Sequence, residues 1–191
     1  MTITDETLIE AIKAGNQNAF RKLVETYQGL VANTCYGLLQ NASDAEDVSQ
    51  EVFIQVYRSI HKFRGDSKLS TWLYRIATTR SIDLLRKRKR RSRVQSFQTF
   101  FGGEEAVLQV ADNKSHSPQQ TLENQERAKV LAKAVAKLPE SQQVAFTLSK
   151  YEDLSYQQIA DIMDRSLSSI ESLLFRAKKN LRKYLEEYYK N

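Results

Sequence analysis

The sequence predicts an all-α protein made of two small helical domains joined by a flexible linker. Three observations carry that expectation. The 191 residues include only 6 Gly and 2 Pro, and long runs of Leu, Ile, Ala, Glu, Lys and Gln favour helix over sheet. Apolar residues recur at helical spacing through both halves of the chain, and no stretch alternates apolar with polar residues as a half-buried strand does. The period is lost over residues 92–117, where Gly102, Gly103, Asn113 and Ser/Gln-rich flanks stand. The expected division is 1–91, a linker at 92–117, and 118–191.

Residues 4–39 read as a short helix ending near Gly15 and a longer one whose apolar face carries Phe20, Leu23, Val24, Tyr27, Leu30, Val31 and Leu38. Ser43 with Glu46 has capping-box spacing, in which the serine oxygen accepts a backbone N–H one turn on and the acidic side chain reaches back. It predicts a third helix running to about Ile60, with Val48, Val52, Phe53 and Tyr57 facing inward. The first turns of that helix hold Asp44, Glu46, Asp47, Gln50 and Glu51. Acids near a helix N-terminus stabilise its dipole, which accounts for Asp44 to Asp47. An acidic, Gln-bearing face on a basic protein also suits protein docking.

A polar loop follows, from Phe63 to Leu69, with Arg64, Gly65, Asp66, Ser67 and Lys68. The next helix starts near Ser70, sets Trp72, Leu73, Ile76, Ala77, Leu84 and Leu85 on its apolar positions, and runs into 86–93, where seven of eight positions are basic. One or two cations satisfy a helix C-terminus, so seven imply a polyanionic partner. A membrane surface is disfavoured, because packing uses the helix's apolar face and no lipidation motif is present. The linker is mildly acidic and carries Phe97, Phe100, Phe101, Val107, Leu108 and Val110, apolar residues suited to docking when a partner is present.

Ser117 as N-cap, Pro118 at the first helical position and Gln120 at the third open the second domain. Leu131, Val135 and Leu138 line one face until Pro139 stops the helix. A helix from about Glu140 to Tyr151 should bury Val144, Phe146 or Thr147, and Leu148. Ser155 with Gln158, and Ser168 with Glu171, again have capping-box spacing and mark two further helices with a turn over 164–167. Ile159, Ala160 and Met163 form the first apolar stripe; Ile170, Leu173, Leu174, Ala177 and Leu181 form the second. This is a helix-turn-helix layout, whose second helix presents its N-terminal residues to base edges in the major groove. Arg176, Lys178, Lys179, Arg182 and Lys183 add positive charge that no nearby acid offsets before Glu186 and Glu187, which suits phosphate contact.

Bulk properties agree. With 41% hydrophobic residues the chain can build ordinary cores, and a net charge of +6 predicts attraction to polyanions. Both expected domains are net basic while the linker is not. Cys35, the single cysteine, excludes an internal disulfide and reads as a buried structural thiol among Val31, Tyr36, Leu38 and Leu39. Neither a signal peptide nor a run of about 18 apolar residues is visible, so a cytoplasmic protein without stable membrane insertion is expected. An enzyme is disfavoured: there is no Gly-rich phosphate loop, no metal-spaced His or Cys set, and His61 and His116 lie far apart, so no catalytic residue, metal or cofactor is expected.

Several stretches together resemble the extracytoplasmic-function (ECF, group IV) sigma factors of the sigma-70 family, the small two-domain initiation subunits of bacterial RNA polymerase. They are Asp44 through Phe53 (DAEDVSQEVF), Phe63 through Leu85 with its STWLYRIA core from Ser70 to Ala77, Leu138 with Pro139, Leu154 through Ala160 (LSYQQIA), and Phe175 through Arg182 (FRAKKNLR). The resemblance implies that residues 1–91 are a four-helix region 2 and residues 118–191 a helix-turn-helix region 4. It implies docking on core polymerase through Asp44, Asp47, Gln50, Glu51 and Phe53. Capture of a flipped base of the minus-ten promoter element would fall to Phe63, Arg64, Asp66, Ser67, Lys68, Ser70 and Trp72, with Arg75, Arg80, Arg86 and Arg90 holding the opened strand. The linker would thread toward the polymerase active-site channel. Ser168, Ser169, Glu171, Ser172, Phe175, Arg176 and Lys179 would read the minus-thirty-five element as duplex. Implied partners are polymerase core and promoter DNA, and the family also admits an anti-sigma factor. Glu171 and Leu173 depart from the basic residues many members carry there, so the minus-thirty-five sequence is not transferable from relatives. The nearest rival reading is a helix-turn-helix regulator that does not join polymerase, which would have no need of the acidic face.

Overall fold

The computed structural model describes residues 4–98 and 118–190, and among them there are eight α-helices, one 3₁₀ turn and no strand. Helix α1 (Asp5–Lys13) starts where the Thr4 side chain accepts from the Thr7 N–H, and α2 (Gln17–Leu39) starts at an Asn16 cap. Helix α3 (Ala42–Ser59) is capped by Asn41, whose side-chain Oδ1 accepts from the Asp44 N–H at 3.0 Å. The expected Ser43–Glu46 box does not form. Gln40 in the left-handed region turns the chain so that extended Asn41 reaches the cap position first. A 3₁₀ turn (Ile60–Lys62) leads into the polar loop, and α4 (Leu69–Gln98) continues past Arg91 into the stretch expected as linker. Lys and Arg are good helix formers, so a basic run need not end a helix. The expected Ser117 cap and the apolar linker residues from Phe100 to Val110 lie outside the described residues.

Helices α1 to α4 enclose one core, with Leu23, Val31, Cys35, Val52, Val56, Leu69 and Leu73 near its centre. Cys35 is fully buried, and that burial pushes its thiol above the ordinary range, as a structural cysteine requires. Val48 and Val52 face inward as the spacing predicts, whereas Tyr57 does not. It is 51% exposed, with its ring edge-on to Phe20, because the buried stripe runs through Ala45, Val48, Val52 and Val56.

The second domain comprises α5 (Pro118–Ala136), α6 (Glu140–Lys150), α7 (Tyr156–Met163) and α8 (Leu167–Lys190). The Ser155–Gln158 capping box is present in both directions, with Gln158 N–H donating to Ser155 Oγ at 3.2 Å and Ser155 N–H to Gln158 Oε1 at 2.9 Å. The Ser168–Glu171 box is not. Asp164 closes α7 in the left-handed region, the turn shortens, and Ser166 becomes the cap, its Oγ accepting from the Ser169 N–H at 3.3 Å.

Only part of the second domain's apolar surface is covered by its own helices. A small cluster of Val135, Leu138, Phe146, Ala177 and Leu181 is internal to it. The larger cluster is shared: Leu38 of α2 with Tyr74 and Ile82 of α4 pack against Val144, Leu148, Ile159, Ile162, Ile170 and Leu174. Seven consecutive residues of α6, Gln142 to Leu148, are buried, because α8 covers one side and α2 the other. The polar members have a reason to be there. Gln143 Nε2 donates to the Leu38 carbonyl at 3.1 Å and Thr147 Oγ1 to the Gly37 carbonyl at 3.3 Å, serving carbonyls that α2 leaves without helical partners at its end. Gly37 permits this approach, since a Cβ there would lie 2.7 Å from Thr147 Cγ2.

Candidate docking and nucleic-acid surfaces

The acidic face of α3 is split by the fold. Asp47, Gln50 and Glu51 are exposed and, with Ile54, fall one turn apart on a single stripe. Asp44 is withdrawn from it: its carboxylate pairs with the Arg88 guanidinium on α4, and its side chain is 15% exposed. Phe53 is half-buried against the first core. Ile54, on that stripe, is 50% exposed and Tyr57 beside it 51%; neither is expected at the surface from the sequence, which sets Tyr57 facing inward. Their signal was positional: both are apolar residues lying off the buried stripe.

The loop before α4 is anchored by its aromatic residues. Phe63 is buried, with its ring centroid 5.1 Å from that of half-buried Trp72, so this pair supports the loop instead of projecting from it. Arg64, Asp66 and Lys68 are exposed, Ser67 and Ser70 are half-buried, and Gly65 makes the turn at a φ of +83°. Asp66, Ser67, Lys68 and Ser70 line one wall of a cleft of about 570 Å³, and Gln158, Asp161 and Arg165 line the other.

Along α4 the expected strand-holding arginines are partly engaged. Arg80 Nε donates to Gln55 Oε1 on α3. Arg75 donates to the Asp161 carbonyl at 2.6 Å, leaving its Nε without a partner. Arg86 makes a two-pronged contact with Glu140, at 3.0 Å from Nε and 2.6 Å from a terminal nitrogen to the same oxygen. The hydrogen bond with Arg86 holds the Glu140 carboxyl below the usual carboxylate range. Nearby, Tyr74 donates to Glu152 at 3.0 Å, and burial pushes the Glu152 carboxyl up. Arg90 is exposed. The partners Glu140, Glu152 and Asp161 were not legible as site residues, because each meets α4 only through the tertiary contact.

Helix α8 contrasts with this. Ile170, Leu173, Leu174, Ala177 and Leu181 are buried, and the opposite stripe of Ser168, Glu171, Ser172, Phe175 and Lys179 is exposed, Phe175 to 70%. Ser169 is half-buried behind it, and exposed Arg176 folds back so that its Nε donates to the Ser172 carbonyl at 3.1 Å. Among the described residues no helix is long and apolar enough to cross a membrane, and no group of three His, Cys, Asp or Glu is placed to hold a metal ion.

An acidic stripe on a helical bundle and an open basic helix in a helix-turn-helix thus stand on one chain, and both domains match the sigma-70 class. The Sigma-70 region 2 family model matches residues 23–91 and the Sigma-70, region 4 model matches residues 128–181. The RNA polymerase sigma-H factor of Pseudomonas aeruginosa is 34% identical over 186 residues, covering 95% of this chain and 94% of that protein. The ECF RNA polymerase sigma-E factor of Escherichia coli K12 is 35% identical over 179 residues, covering 92% and 91%. Among solved structures, CnrH in complex with the cytosolic domain of CnrY is similar with a TM-score of 0.66 at 22% identity, covering 96% of this chain and 97% of that one. RpoE of Bartonella quintana, in complex with the anti-sigma factor NepR, gives 0.61 at 23% identity, covering 87% and 96%. The chain belongs to the ECF sigma factors of RNA polymerase.

Proposed function

We propose that this chain binds core polymerase through the Asp47, Gln50 and Glu51 stripe, recognises the minus-ten element with α4 and its preceding loop, and reads the minus-thirty-five element with α8. The observation that carries the reading is the presence, on one chain, of two separate basic helix surfaces and an exposed acidic stripe. The reaction chemistry belongs to polymerase; this protein contributes binding and strand opening, and works in the cytoplasm where polymerase is. An anti-sigma factor, as NepR is for RpoE of Bartonella quintana, is a fitting further partner.

The geometry constrains how the two surfaces work together. A carboxylate presents two oxygens to a guanidinium much as a phosphate does, so Glu140 occupies Arg86 where strand backbone would sit. Arg75 is engaged as well, donating to the main-chain carbonyl of Asp161. Melted DNA reaches these arginines when α6 and α7 move off α4. Run-off transcription with bacterial core polymerase, across randomised promoters with and without this protein, tests the reading. Protein-dependent transcripts sharing two spaced motifs are expected, and failure to bind core at all returns the chain to the regulator class.

A further inference from the structure

We infer that Glu171 is a specificity-determining residue that selects cytosine at one base pair of the duplex element read by α8; this rests on the proposal that α8 reads the minus-thirty-five element. Glu171 lies in the exposed stripe, between Ser168 and Phe175, at the N-terminal end that a helix-turn-helix presents to base edges. The ordinary reasons for a glutamate here do not apply. Ser166 is the cap, so Glu171 is not the returning acid of a capping box. It sits in the second turn of α8, beyond the reach of the dipole at the first. No Lys or Arg stands three or four residues away to pair with it along the helix, and among the described residues it makes no hydrogen bond or ion pair.

A carboxylate without a partner on a DNA-facing helix is repelled by phosphate, so its use lies with a base donor. In the major groove cytosine offers an N4 amino group with no acceptor of its own beside it. Adenine pairs its amino group with the N7 acceptor, while guanine and thymine place acceptors where the carboxylate would lie. The preferred order is cytosine, then adenine, with guanine and thymine last. Phe175, one turn on, is 70% exposed and apolar, suited to a thymine methyl. One turn of helix advances about 6 Å, so that thymine lies within about two base pairs of the cytosine.

The test is transcription by holoenzyme reconstituted from the full chain, on a promoter library randomised through the minus-thirty-five element, with the parent, Glu171→Gln, Glu171→Arg and Glu171→Ala. The parent should prefer cytosine at one position by about five- to a hundred-fold. Gln moves that position toward adenine, Arg moves it toward guanine, and Ala flattens it while the other positions keep their preferences. Base frequencies unchanged across all four proteins overturn the inference and leave the sigma reading standing. Absence of protein-dependent transcripts from every protein, parent included, overturns both.

Discussion

The two basic helices of this protein differ in what already occupies them. On α4, Arg75, Arg80, Arg86 and Arg88 all have partners within the chain, and three of the four are held by the distant residues Asp161, Glu140 and Asp44. On α8 the stripe of Ser168, Glu171, Ser172, Phe175 and Lys179 stays exposed. On the function proposed above, α4 meets single-stranded DNA, which exists only after melting, so its surface would be held closed until polymerase is present. On the same proposal α8 meets duplex DNA, which is always available, and its stripe is left exposed.

The largest expected effect comes from wedging the closed contact. Gly37→Leu places a side chain where Thr147 lies, and overpacking of this kind costs about 1–3 kcal/mol. The α4 surface should then become as accessible as that of α8. Small-angle scattering should show a larger particle at unchanged helicity, and a minus-ten single strand should bind the isolated protein more tightly. An unchanged radius and affinity would break the comparison.

A second expectation separates the α4 cation ion-paired with Asp44 from its exposed neighbours. Replacing Lys89, Arg90 and Arg91 with Gln should reduce the slope of log affinity against log salt for single-stranded DNA by roughly 2, at about 0.7 per lost phosphate contact. Arg88→Gln should change it less, since Asp44 already neutralises that guanidinium. Equal effects per residue would mean that the Asp44 pair opens freely.

The smallest effect is a pH dependence. Burial raises the Glu152 carboxyl, so the closed form binds that proton more tightly than the unfolded chain. Its contribution is full below the ordinary carboxylate range and is lost as pH rises through the raised value. Glu140, held below the usual range by Arg86, runs the other way: its contribution is present above the ordinary range and fades as pH falls through the lowered value. Glu152→Gln should remove the first component and flatten the melting profile on its acid side. A profile that keeps the parent's shape would assign the acid-side behaviour to other groups.

Local signals were legible in the sequence and the contact between domains was not. The Ser155–Gln158 box, the stop at Pro139 and the buried stripe of α8 each depend on residues within a turn or two, and each stands as read. The caps at Asn41 and Ser166 were misread as Ser43 and Ser168 because left-handed residues at Gln40 and Asp164 shifted the helix starts. The all-round burial of α6 had no periodic signature. Gln142, Gln143 and Thr147 look like a polar face until Asn180 and the carbonyls of α2 are brought to meet them. Asp44 likewise read as a surface docking residue because Arg88 is 44 positions away.

The doubly covered α6 also sets a limit on handling an opened form. Once α2 and α4 withdraw, Val144, Leu148 and Ile162 lose their cover and face water as a contiguous apolar strip. Opened protein should self-associate as its concentration rises, and polymerase, by engaging it, should keep it in solution. Variants built to act without restraint are therefore expected to store poorly as isolated protein and well as holoenzyme.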